Sequence, residues 1–156
     1  MTKPFFGRSA VALLLAIAGH SCGPAPPHRV LTVEEVVPRI DALNGQVVSI
    51  AGYLPRCAGY DCILFRTKAD SDAWDRVMIA LRTNRRVRIP DLPIVGIGSR
   101  ADFDFDAQAA PFTNAYVVIT GTVTNMCRFE GKPACTDRTT DLWPTAIRAG
   151  SPPAPR

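Results

Sequence analysis

The chain is nearly devoid of histidine. It has two, His20 and His28, so residues 29–156 hold no side chain whose ordinary pKa lies near neutrality. Ser-His and Cys-His nucleophilic catalysis are thereby excluded. The chain also lacks a Gly-x-Ser-x-Gly elbow and a phosphate-binding Gly-Lys loop. Gly96-Ile97-Gly98-Ser99 is a two-glycine loop fragment, not a dinucleotide fingerprint. The apolar run Ala10–Ala18 has nine residues, against roughly 20 for a permanent membrane helix. There is no large charge of one sign either: 18 basic and 14 acidic residues give +4.

What is present has a clear organisation. At 156 residues, 47% hydrophobic and 21% charged, the composition is that of one globular domain. Half of the 14 prolines lie within residues 1–27 and 152–156, so a tether, a compact middle and a loose tail are expected. Residues 1–21 read as an export signal: Lys3 and Arg8, then the apolar run, then small residues. Gly19-His20-Ser21-Cys22 resembles the cleavage region of a bacterial lipoprotein signal, which implies lipidation of Cys22. Gly19 stands where that pattern has a large aliphatic residue, and conventional cleavage near Ala18 is the alternative. Residues 22–30 form a Pro-rich tether. By the same resemblance, Gly23 after the cysteine implies the outer membrane, periplasmic face, with a soluble periplasmic protein as the alternative. Without Lys3 and Arg8 the exported part carries 16 basic and 14 acidic residues, or +2. Nucleic acid is not an expected partner at that balance.

The remaining cysteines form two close pairs, Cys57/Cys62 and Cys127/Cys135. In an oxidising compartment two local disulfides are expected, contributing roughly 2–3 kcal/mol each on chain-entropy grounds. A four-cysteine zinc site is the alternative, though the intervals of four and seven residues suit paired zinc ligands poorly. Neither pair is a Cys-x-x-Cys redox motif. No cofactor is expected.

Thr32-Val33-Glu34-Glu35 is a capping box that starts a short helix, interrupted at Pro38 and resumed over Arg39–Leu43. Strands are predicted over Gln46–Leu54, Cys62–Thr67, Arg76–Leu81, Ala115–Asn125 and Leu142–Ala149. The last lies near a sheet edge, because Pro144 cannot donate. Ala51 and Gly52 predict a bend or bulge. Asp70–Asp75 reads as a turn or short helix, Arg85–Ile97 as an irregular excursion, and residues 150–156 as a disordered tail. Phe103–Ala110 fits either period. The whole is all-β with one or two short helices, a small five-stranded barrel over residues 31–149. The run Leu43-Asn44-Gly45-Gln46-Val47-Val48-Ser49-Ile50-Ala51-Gly52-Tyr53-Leu54 is similar to the first strand of OB-fold domains in small exported bacterial proteins. Tyr116-Val117-Val118-Ile119-Thr120-Gly121-Thr122-Val123 resembles a later strand of that fold. The resemblance implies a fold more than an activity.

Two clusters invite a function. Asp102, Asp104 and Asp106 alternate with Phe103 and Phe105, which on a strand would put three carboxylates on one face. Such a set points to calcium or paired-carboxylate chemistry, but Ala107 and Thr113 occupy the glycine and bidentate-acid positions of a calcium loop. Arg82, Arg85, Arg86 and Arg88 form a basic cluster suited to an anionic glycolipid or an acidic protein surface. Tyr53, Phe65, Trp74, Tyr116 and Trp143 divide between core and stacking roles. The leading expectation is a non-catalytic, lipid-anchored periplasmic module that binds an envelope component or protein. Alternatives are a periplasmic inhibitor or immunity lipoprotein, acting through a loop such as 82–100, and a calcium-dependent binder or enzyme using Asp102, Asp104 and Asp106. If Cys22 is the anchor, Cys22→Ser will move the protein from the membrane to the soluble fraction on fractionation, and retention in the membrane would place the anchor elsewhere.

Overall fold

A computed structural model describes residues 29–152 apart from 84–85, 100–103, 131 and 136–137. The leader, Cys22 and residues 153–156 lie outside the described residues. Strand β1 (Val30–Thr32) leads into helix α1 (Val33–Val36), a 3-10 turn at Val37–Arg39 and helix α2 (Ile40–Leu43). The capping box forms: the Thr32 hydroxyl accepts from Glu35 N at 3.3 Å, and the Glu35 carboxylate accepts from Thr32 N at 2.8 Å. Pro38 breaks the α-helical run, since it cannot donate into it. Then come β2 (Val47–Leu54), β3 (Cys57–Ala58), β4 (Asp61–Phe65), α3 (Lys68–Arg82), β5 (Ile94–Gly96), α4 (Phe105–Ala109), β6 (Ala115–Val123), β7 (Arg128–Phe129), β8 (Lys132–Pro133) and β9 (Leu142–Ala149).

The strands make a mostly antiparallel sheet curled into a half-barrel, with path β3-β4-β2-β6-β9. Strand β1 joins β2 in parallel, β5 joins β4 antiparallel, and β7–β8 is a separate hairpin. Strands β2 and β6 pair over their length, from Val47↔Thr122 to Leu54↔Ala115. Alternation then fixes the faces. Ile50, Leu54, Val117, Ile119 and Val123 turn inward onto Leu64, Val95, Phe105 and Leu142, whereas Ser49, Ala51 and Tyr53 turn outward. Both disulfides form. Cys57 and Cys62 lie directly opposite across β3–β4, and Cys127–Cys135 closes the β7–β8 loop. That removes the zinc alternative, because a sulfur bonded to sulfur is no thiolate ligand.

The two edges meet at one buried ion pair. Ile97, just past β5, bridges Leu142 in parallel. Gly98 N donates to Leu142 O at 2.9 Å and Asp141 N to Gly96 O at 2.8 Å. The Asp141 carboxylate is fully buried and accepts from Gly96 N at 2.8 Å. Arg128 Nε reaches its other oxygen at 2.7 Å, and Arg128 Nη2 also donates to Ile94 O at 3.0 Å.

Four expectations are corrected. Ile94–Gly96, within the stretch expected to be irregular, is strand β5, paired with β4. Arg76–Leu81 is not a strand but the second half of α3. Its apolar residues Trp74, Val77, Met78 and Leu81 follow helical spacing once the cap at Thr67 sets the phase. Asp104 and Asp106 are not on a strand. Asp104 caps α4, its carboxylate accepting from Ala107 N at 3.1 Å, and Asp102 lies outside the described residues. The irregularity expected at Ala51/Gly52 occurs instead in the β6–β9 register between Thr120 and Gly121. Gly52 is required by close approach, since a Cβ would stand 2.6 Å from Leu64 Cγ and from Phe65 O. Gly121 is tighter still, facing the Trp143 carbonyl and Pro144 Cα. Gly121→Ala must push backbone against backbone. It will lower unfolding stability by about 1–3 kcal/mol in urea, and an unchanged midpoint would refute the packing described.

Candidate functional site

Helix α3 creates the site, and its sequence explains how. Thr67 caps it, accepting from Asp70 N at 3.2 Å. Its buried residues are polar, Asp70 and Ser71. Arg66 grips the Asp70 carboxylate with Nε at 2.8 Å and Nη2 at 2.9 Å, and reaches Glu34 on α1 through Nη1. Burial alone would raise the Asp70 pKa. Hydrogen bonds from Arg66 and Thr67 outweigh it and hold the carboxyl below its ordinary value. Tyr116, which stacks edge-on against Tyr53 at 5.3 Å, accepts from Lys68 N at 3.3 Å through its hydroxyl. The helix start is thus fixed by polar contacts, and the C-terminal half is left half-exposed, with Ile79 at 62% and Leu81 at 40% of full exposure.

Between that half and the outer face of β4 lies an open cleft of about 500 Å³. Trp74, Met78 and Ile79 form the helix wall, Ile63 and Phe65 the sheet wall, and Pro55, Thr113 and Asn114 one end. Four charges surround it: Arg56, Asp61, Asp75 and Arg82. Arg56 and Asp61 pair at 2.5 Å. Asn114 sits at the rim with φ of 58°, a left-handed conformation that asparagine tolerates better than other L-residues. The chain matches no family model and no curated protein.

A second cluster lies where α4 meets the first disulfide. Arg138 holds Asp106 through Nη2–Oδ1 at 2.8 Å and Nη1–Oδ2 at 3.0 Å, and donates to Ile97 O at 2.6 Å and Gly59 O at 2.8 Å. Gly59 N donates to Asp106 Oδ2 at 3.1 Å, and Arg138 Nη2 lies 3.2 Å from Cys57 Sγ. Cys57 Sγ, Cys62 Sγ and the Asp106 carboxylate all fall within 4.8 Å of one another. This is no cation site as it stands: the sulfurs are joined, and a guanidinium occupies the carboxylate. The group is a brace tying α4 and the β7–β8 loop to the β3–β4 hairpin.

Of the basic cluster, Arg82 ends α3 and lines the cleft, and Arg86 and Arg88 are exposed beyond it. Arg85 lies outside the described residues. Tyr53 and Phe65 are buried on the outer face of the sheet, outside the main core cluster, and of the named aromatics Trp74 and Phe65 line the cleft. Sequence reasoning missed the roles of Arg66, Arg128, Arg138 and Asp141. Only the Thr67-to-Asp70 cap spacing carried a usable local signal.

The Arg138 contact, assisted by Gly59 N, lowers the Asp106 pKa below its ordinary 3.8. A depressed carboxyl contributes stability that is present above the unfolded-chain value and lost as pH falls through the folded one. Asp106→Asn is therefore expected to destabilise the protein by about 1–3 kcal/mol at neutral pH. The gap to wild type should narrow below pH 3.8 in denaturant melts. A gap that stays constant with pH would show that the ion pair is not its source.

Proposed function

We propose that this chain is a non-catalytic, lipid-anchored exported module with an OB-type barrel, and that it holds an envelope component or protein partner in the α3 cleft. The OB reading is supported by strand order. Circling the sheet, β5-β4-β2-β6-β9 returns to β5 through the parallel Ile97–Leu142 bridge, the connectivity of a five-stranded Greek-key barrel. The added element is the fifteen-residue α3 between its second and third strands.

The observation that carries the binding reading is contiguity. Exposed apolar residues such as Val47 are scattered, and isolated ones are ordinary on any surface. Trp74, Met78, Ile79, Ile63 and Pro55 line one concave cleft with charges at its rim, which is the form of a ligand site. No histidine or free thiol lies among the described residues to add nucleophilic chemistry. A pull-down from solubilised envelope with wild type, Trp74→Ala and Ile79→Glu tests the reading. Ile79 is 62% exposed, so Ile79→Glu changes the cleft without unseating the core. Both variants are expected to lose the partner by roughly tenfold, about 1.4 kcal/mol. If both recover the same partners as wild type, the cleft is not the binding surface.

A further inference from the structure

We propose that the cleft takes a short extended peptide bearing a positive charge at one end and a negative charge at the other. This rests on the reading of the cleft as the binding site and specifies its ligand. Asp75 and Arg82 both line the cleft from α3. Seven residues apart, they share one helix face and stand roughly 10 Å apart along the axis. Arg56 and Asp61 neutralise each other. Among the described residues, Asp75 and Arg82 make no ion pair or hydrogen bond; Asp75 feels only the longer-range attraction of Lys68, which is paired with Asp72, so the cleft offers one unpaired charge of each sign.

Between these two charges run Met78 and Ile79, one helical turn on from Asp75, with Trp74 and Ile63 beside them. An extended chain advances about 3.3–3.6 Å per residue, so three residues cover that span. A tripeptide then sets its ammonium at Asp75, its carboxylate at Arg82 and its central side chain on the apolar wall. Asn114 adds a backbone-reading group. Its Oδ1 accepts from the Tyr53 hydroxyl at 3.4 Å and its backbone N donates to Pro55 O, while its side-chain Nδ2, with no partner among the described residues, is a donor for a peptide carbonyl. Other ligand classes fit less well. An acyl chain or a neutral sugar leaves both charges unanswered, and a polyanion answers only Arg82 while meeting Asp75 with repulsion.

The test uses the exported domain and Ala-Phe-Ala in four forms: free termini, N-acetylated, C-amidated and doubly capped. Binding is read by calorimetry or ligand-observed NMR. Each cap is expected to weaken binding about threefold to fivefold, the range for an exposed ion pair. Asp75→Asn should abolish the effect of acetylation only, and Arg82→Gln that of amidation only. Both side chains are exposed, so neither variant threatens the fold. Equal affinity for all four forms, cap effects unchanged in the variants, or no binding at millimolar peptide would each overturn the proposal. If the peptides fail while Ile79→Glu still abolishes envelope capture, the ligand class is wrong and the binding module stands. If envelope capture is also unaffected, both fall.

Discussion

One carboxylate holds the curled sheet shut. Asp141 is buried at the start of β9, yet it is satisfied on every side: by Arg128, by Gly96 N and through its own backbone to Gly96 and Thr124. A buried ion pair is weak evidence of net stability, because removing two charges from water offsets most of their attraction. Its value is specific. The β5–β9 contact is a short parallel one, the least rewarding pairing per residue, and apolar packing alone does not set its register. An unpaired charge at that depth would cost several kcal/mol, so only the register that pairs Gly96 with Asp141 is tolerated. Among the described residues, no buried side-chain polar atom is left without a partner, as such a closure demands.

From that closure the rigid and less rigid parts follow. Arg128, which holds Asp141, sits beside Cys127, so the second disulfide fixes the loop that carries the key cation. Arg138 on the far side of that loop grips Asp106 and the first hairpin. Loop, hairpin and α4 are therefore locked together through disulfides and charge-assisted hydrogen bonds, the stronger kind. Helix α3 is outside this lock. It is fixed at its start by Arg66, Thr67 and Tyr116, and few of its later side chains are buried. Local stability tracks buried apolar contact, so the cleft has one stiff wall and one that yields more easily.

The legible part of the sequence was the part with strict periodicity and punctuation. Strands β2, β6 and β9 are expected within two residues of their ends: Asn44-Gly45 precedes β2, Asn114 precedes β6, and Gly150 follows β9. The capping box and both disulfides were equally local. Helix α3 is not legible in Arg76–Leu81 alone, an arginine followed by five apolar residues that suit either element. Its deciding signal, the Thr67–Asp70 cap, lies nine residues upstream. Asp104 and Asp106 alternated convincingly, but a carboxylate three residues before a free amide caps a helix as readily as it lines a strand. The cleft had no signature at all. Pro55, Ile63, Met78 and Asn114 come from four segments, and only the fold makes them neighbours.

The way α3 is attached explains why a cleft persists. A helix usually secures itself by sinking an apolar stripe into the core, at about 25 cal/mol for each Å² buried. Here Trp74 and Met78 were available for that, and they stay only half-buried. The polar network around Arg66 takes over the anchoring, with Glu34 and Asp70 on either side of it. Had Trp74 and Met78 been the anchors, the groove beside β4 would be filled by the helix's own side chains. Holding the helix by charge at one end leaves its apolar face standing off the sheet, with Trp74 and Met78 half-buried and Ile79 exposed.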